Sequence, residues 1–140
     1  MSKKSNGQCE ICLLANGKEP GSIIFENEYI TAYLDPSSIS AGSVIVTTKK
    51  HFFDIDELDE VTAAAVMKAL KTIAKAIKKV FKPGGIGFIH NSGEFSDLPH
   101  FHVHIFPRYK NDWLVGMAIG FPFMINTDTA EVAKELKEAI

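Results

Sequence analysis

His100, His102 and His104 alternate with Phe101, Val103 and Ile105, so three imidazoles occupy every second position of an otherwise apolar run. Strict alternation demands a β-strand, because successive strand side chains point to opposite faces. The strand must lie in a sheet whose one face meets a core through Phe101, Val103 and Ile105, while the other presents the histidines. Neighbouring histidines on that face stand about 6.6 Å apart, at a rise of about 3.3 Å per residue. That spacing leaves three neutral, half-exposed imidazoles. With an ordinary pKa near 6.5 they can act as nucleophile, proton donor, phosphate partner or metal ligand.

The rest of the chain supplies the sheet and its cover. Residues 22–26 and 29–34 are β-rich and flank the polar turn Glu26, Asn27, Glu28, which predicts a hairpin. Asp35, Pro36, Ser37 and Ser38 close its second strand, and 43–48 reads as another strand leading to Lys49, Lys50 and His51. Over 58–81, Val66, Leu70, Ile73, Ile77 and Val80 recur at spacings of four and three, the stripe of an amphipathic helix. Asp56, Glu57, Asp59 and Glu60 at its start and Lys75, Lys78, Lys79 and Lys82 at its end complement the helix dipole. Pro83, Gly84 and Gly85 stop it. Strands over 86–91 and 100–107 follow, and 128–140 reads as a second amphipathic helix. Strands, helix, strands and helix in that order favour an α+β domain with a mainly antiparallel sheet. One domain over 1–140, with a loose polar start over 1–8, is the expectation.

A composition 46% hydrophobic and 23% charged is enough for one core. A net charge of -2 argues against a nonspecific nucleic-acid binder, which needs a concentrated basic face. The lysines near 78 read as a solvated helix end. No apolar run has the length of a membrane span, so a soluble, cytoplasmic protein without membrane partners is expected. No glycine-rich phosphate loop of either familiar pattern is present, so a nucleotide would have to be held by other means. Cys9 and Cys12 form a C-x-x-C pair, the spacing of half a zinc site or of a redox pair. No βαβ context follows them to favour the redox reading.

The triad with apolar spacers resembles the signature of the histidine triad (HIT) family of nucleotidyl hydrolases and transferases. Ile24-Phe25-Glu26, Ala32-Tyr33-Leu34-Asp35, Gly42-Ser43-Val44-Ile45-Val46, Lys49-Lys50-His51 and His90-Asn91-Ser92-Gly93 fall in that family's order. The resemblance implies a HIT-like α+β fold: a mainly antiparallel five-stranded sheet, one long central helix and a C-terminal helix. It implies that His102 attacks the α-phosphate of a nucleotidyl compound, forming a nucleotidyl-histidine that water or another acceptor resolves. His104 would hold phosphate oxygens or pass a proton to the leaving group, and Asn91, on the neighbouring strand, would position the phosphate. Asn91 also begins an Asn-Ser-Gly turn, a sufficient reason for asparagine. Asp35 would accept from the ribose hydroxyls, or simply form a turn with Pro36. Ile11 and Tyr33 match positions that pack on the base, a purine by preference, and equally suit a core.

The loop before the triad departs from the family. A glutamine usually stands four residues ahead of the first histidine and often a serine follows it; here those positions are Ser96 and Asp97. A carboxylate beside phosphate repels it unless protonated or turned away, so the leaving-group contacts differ in this chain. The bacterial-type branch with zinc further implies a closed structural site of Cys9, Cys12, His51 and His100, with no metal or other cofactor needed for chemistry. His90, out of phase with Asn91, would then be structural. The implied activity is hydrolysis of nucleoside phosphoramidates, with dinucleoside polyphosphate hydrolysis, nucleotidyl transfer or noncatalytic nucleotide binding as alternatives. A homodimer joined sheet edge to sheet edge is also implied, and the apolar stretch 113–125 suits either its interface or the protein's own core.

Overall fold

The computed structural model describes residues 9–36, 41–112 and 129–140. The loose start over 1–8, Ser37 and Ser38, and the apolar stretch 113–125 therefore lie outside the described residues. Five strands, β1 (Ile23–Glu26), β2 (Ile30–Leu34), β3 (Val44–Thr48), β4 (Gly85–Ile89) and β5 (His102–Arg108), form one sheet in the order β1-β2-β3-β5-β4. Every neighbouring pair is antiparallel. Among the described residues three α-helices accompany it: α1 (Glu10–Ala15), α2 (Glu60–Phe81) and α3 (Thr129–Ala139). The α+β architecture expected from the sequence is the one observed. None of these helices is long and apolar enough to cross a membrane.

The register divides the sheet into two faces. Ala32, Val46 and Val103 stand opposite one another across β2, β3 and β5, as do Leu34, Val44 and Ile105. These rows are buried against Val66, Leu70, Ile73 and Ile77 of α2, with Leu136 of α3 in the same core. The alternate rows, Thr31, Thr47, His102 and Tyr33, Ile45, His104, look the other way. There α1 covers part of the sheet, and the Thr31 hydroxyl donates to the Ala15 carbonyl at 2.7 Å.

Local chemistry sets the element ends. Asn27 Oδ1 accepts from the backbone N–H of Tyr29 and Ile30, closing the β1–β2 hairpin. The Asp59 side chain accepts from Thr62 N at 2.7 Å and so starts α2 at Glu60, two residues later than the apolar stripe suggested. The residues before it form a separate 3-10 turn, Ile55–Glu57, because Asp54 and Glu57 satisfy each other's backbone in a capping box. Lys82 ends α2 in the left-handed conformation, at φ 47°. Gly42, at φ +80°, turns the chain into β3, and an added Cβ would stand 2.5 Å from the Phe81 ring.

Two expectations are corrected, and one element is new. β5 begins at His102, so His100 precedes the strand; Phe101 N instead donates to Phe52 O outside the sheet, at 2.7 Å. β4 ends at Ile89, which leaves Asn91 exposed beyond the strand rather than on it. Helix α1 was not anticipated, since six residues cannot display a helical period.

Candidate functional site

Two clusters of polar side chains meet at the start of β5. In the first, α1 supplies Cys9 at its N-cap and Cys12 one turn on, His51 follows β3, and His100 leads into β5. Cys9 Sγ and Cys12 Sγ lie 3.5 and 3.3 Å from His100 Nδ1, and Cys12 Sγ lies 3.2 Å from His51 Nδ1. The two Nδ1 atoms are 3.2 Å apart. A tetrahedron drawn with ordinary zinc–sulfur and zinc–nitrogen lengths has edges of about 3.3 to 3.8 Å, so this donor set has the dimensions of a closed zinc site. The sequence-predicted ligands Cys9, Cys12, His51 and His100 are thus brought together.

The surroundings of His100 suit a neutral ligand. Its Nε2 lies 2.7 Å from the Thr48 carbonyl, which can only accept, so that nitrogen carries the proton and Nδ1 turns its lone pair to the thiols. Burial pushes the His100 pKa down to about 4, with a smaller upward pull from the Thr48 carbonyl and downward effects of His51 and His102. His100 is fully buried and His102 is 3% exposed, so the half-exposed row expected from the sequence is confined to His104.

In the second cluster, His102 Nδ1 lies 2.8 Å from the His100 carbonyl and its Nε2 lies 2.8 Å from Asp97 Oδ1. The carbonyl fixes a proton on Nδ1, which leaves Nε2 as the nitrogen able to offer a lone pair. The Asp97 carboxyl oxygen at 2.8 Å engages that lone pair or its proton, so phosphorus cannot approach Nε2 while the contact holds. Asp97 must leave Nε2 before that nitrogen can act. His104 Nδ1 faces Asp35 Oδ2 at 3.4 Å, and its Nε2 is 4.0 Å from Asp97 Oδ2. The rings of His102 and His104 meet edge to face at 5.1 Å, closer than the backbone spacing because their planes turn toward each other.

The remaining predicted residues distribute around this pair. Tyr33 is buried in the row of Ile45 and His104. Burial raises the Tyr33 phenol pKa, and Asp35, Asp97 and Cys9 add to the effect. Ile11 is buried on α1. The Ser96 hydroxyl donates to Leu98 O at 2.7 Å, which turns it into its own loop, while Asp97 reaches the histidines. His90 packs on Phe101 with ring centroids 5.0 Å apart, and its Nδ1 lies 2.9 Å from the His102 carbonyl. Its partners fit a structural part. Thr47 and Thr48 were missed: Thr47 Oγ1 donates to Phe101 O at 2.6 Å, and Thr48 holds His100. Their only sequence signal was strand propensity, which threonine shows anywhere.

A model of the HIT domain matches residues 16–111. A HIT-like protein of Methanocaldococcus jannaschii is 31% identical over 131 residues, covering 92% of this chain and 98% of its own. An adenosine 5'-monophosphoramidase of Schizosaccharomyces pombe is 27% identical over 116 residues, covering 81% of this chain and 83% of its own. Among solved structures, a zinc-bound histidine triad family protein from Mycobacterium smegmatis superposes with a TM-score of 0.79 at 25% identity, covering 94% of this chain and 91% of that one.

Proposed function

The chain belongs to the HIT domain family, and from that premise we propose that it hydrolyses nucleoside phosphoramidates through a nucleotidyl-histidine on His102. The observation that carries this reading is the contact of His102 Nδ1 with the His100 carbonyl, which aims Nε2 away from the backbone beside His104. In the first step the Nε2–P bond forms as the P–N bond to the leaving amine breaks. The amine nitrogen keeps the electron pair and takes a proton from His104. The positive charge that develops on the His102 ring is stabilised at Nδ1–H by the His100 carbonyl. Water then forms a bond to phosphorus, the Nε2–P bond breaks, and the proton lost by water returns to His104.

Asp35 lies close enough to His104 to take the ribose hydroxyls of the same nucleotide, and Tyr33 on β2 and Ile11 on α1, both buried, are the residues that would pack toward the base. A structural zinc held by Cys9, Cys12, His51 and His100 belongs to this reading, supported by the donor geometry and by the zinc-bound relative. So does a homodimer, for which β4, with half-exposed Phe88, offers a border that pairs with no further strand among the described residues.

The test is AMP release from adenosine 5'-phosphoramidate by the wild type and His102→Ala. We expect turnover by the wild type and a fall of about three orders of magnitude in the variant. Equal rates in both would remove His102 as nucleophile. AMP binding with no turnover of any nucleotidyl compound would favour a binding module, the reading to which Asp97 capping Nε2 lends support.

A further inference from the structure

Asp97 has the wrong charge for a phosphate ligand, yet it is the side chain that meets the nucleophile. It is two-thirds exposed, with Oδ1 at 2.8 Å from His102 Nε2 and Oδ2 at 4.0 Å from His104 Nε2. That contact puts a carboxylate oxygen against the nitrogen that would attack phosphorus. A phosphorus atom bonding to Nε2 needs that approach clear, and in an in-line displacement the leaving atom stands opposite Nε2 beyond phosphorus. An arriving phosphate must therefore displace the carboxylate, which remains next to the reacting phosphoryl group.

The loop limits how far it can go. Gly93 N donates to Asp54 Oδ1 at 3.0 Å, Ser96 N to Gly93 O at 3.2 Å, and the Ser96 hydroxyl to Leu98 O. A cavity of about 320 Å³ adjoins the loop, with Phe53, Asp54, Glu57, Ser96 and Leu98 on its wall. Its described lining carries two carboxylates and no basic side chain. Asp54 and Glu57 cap backbone N–H groups, and an ionised carboxylate retains lone pairs beyond those it shares. Further negative charge thus stands beside the loop that carries Asp97, with apolar Phe53 and Leu98 next to it.

We propose that Asp97 is a specificity-determining residue that selects phosphoramidates whose leaving amine bears an additional alkylammonium group, and disfavours polyphosphate leaving groups. This rests on the hydrolase reading above and adds the chemistry of the group expelled. The carboxylate attracts the ammonium and stabilises positive charge on the departing nitrogen as it is protonated. A polyphosphate brings several negative charges to the same place and is repelled.

The experiment compares kcat/KM of the full chain and of Asp97→Asn on three probes. These are adenosine 5'-phosphoramidates of 1,4-diaminobutane and of butylamine, and diadenosine tetraphosphate. The diamine is intrinsically a somewhat better leaving group, so the quantity read is the diamine-to-butylamine ratio in the wild type divided by that in the variant, which cancels the intrinsic difference. We expect that quotient to be about five to ten at low salt and to shrink toward one in high salt. Turnover of the tetraphosphate relative to butylamine should rise in Asp97→Asn by a similar factor. A melting temperature matching the wild type excludes a merely structural effect, as an exposed side chain predicts. A quotient of one, with both phosphoramidates turned over, would overturn the role of Asp97 while leaving the hydrolase reading intact. No turnover of any probe by folded wild type that binds AMP would overturn both.

Discussion

One backbone carbonyl, that of His100, holds Nδ1 of His102 and leaves Nε2 pointing away from it, so in the proposed reaction a residue with no reacting atom fixes the tautomer of the nucleophile. Asp35 stands in a similar relation to His104, with its carboxylate 3.4 Å from Nδ1, and can in addition reach toward a ribose. The two duties separate experimentally. Asp35→Asn keeps the shape but weakens acceptance from hydroxyls, and hydrogen bonds to a charged group are worth about 1.5 to 3 kcal/mol, or about tenfold to a hundredfold in rate. We expect kcat/KM for an adenosine phosphoramidate to fall by about that factor, chiefly through KM. The 2',3'-dideoxy analogue should be hydrolysed at nearly equal rates by both proteins. An equal loss on both substrates, carried by kcat, would show that Asp35 acts through His104 instead.

At the scale of elements, what was legible in the sequence was what short-range periodicity encodes. The strand 102–108 and the helix 60–81 follow from apolar spacings of two and of three to four. Helix α1 was not legible because EICLLA spans too little chain to show a period, and a helix so short owes its existence to packing on β2 and β3. The alternation around His100 also extends beyond its strand, because Phe101 N pairs with Phe52 O. The Asp97 contact depends on a loop tied to Asp54, far away in sequence, and no local pattern announces it. The start of α2 was marked by acidic residues, but only the structure distinguishes Asp59 as the cap. Its carboxyl pKa is lowered, chiefly by the Thr62 backbone N–H. A carboxylate with a depressed folded-state pKa stabilises the fold above its unfolded pKa, about 3.9, and that contribution disappears as pH falls through the folded value. Asp59→Ala should therefore melt below the wild type at pH 7, and the gap between the two should narrow as pH is lowered beneath about 4. A gap independent of pH would mean that the ionised cap is not the source of the difference.

Over the whole molecule, the four-ligand cluster joins parts of the chain that the sheet alone would leave loosely related. It ties α1 to the segment after β3 and to the residue entering β5, across sequence separations of 39 and 88 residues from Cys12. Closing such loops in the unfolded chain is entropically costly, so a metal that binds only the folded arrangement adds stability with its affinity. The purified protein should carry about one zinc per chain and lose it with Cys12→Ser. At free zinc a thousandfold above the dissociation constant the contribution is about 4 kcal/mol, which for a domain of this size corresponds to about 10 °C or more in Tm. Activity should follow stability for a structural reason: His100 is at once a member of this cluster and the owner of the carbonyl that holds His102 Nδ1. Below the melting temperature, the zinc-depleted protein should therefore lose kcat on adenosine phosphoramidate more than it loses affinity for AMP, and added zinc should restore both Tm and kcat. If chelation removes the metal while Tm and kcat stay unchanged, the cluster neither clamps the fold nor supports the nucleophile.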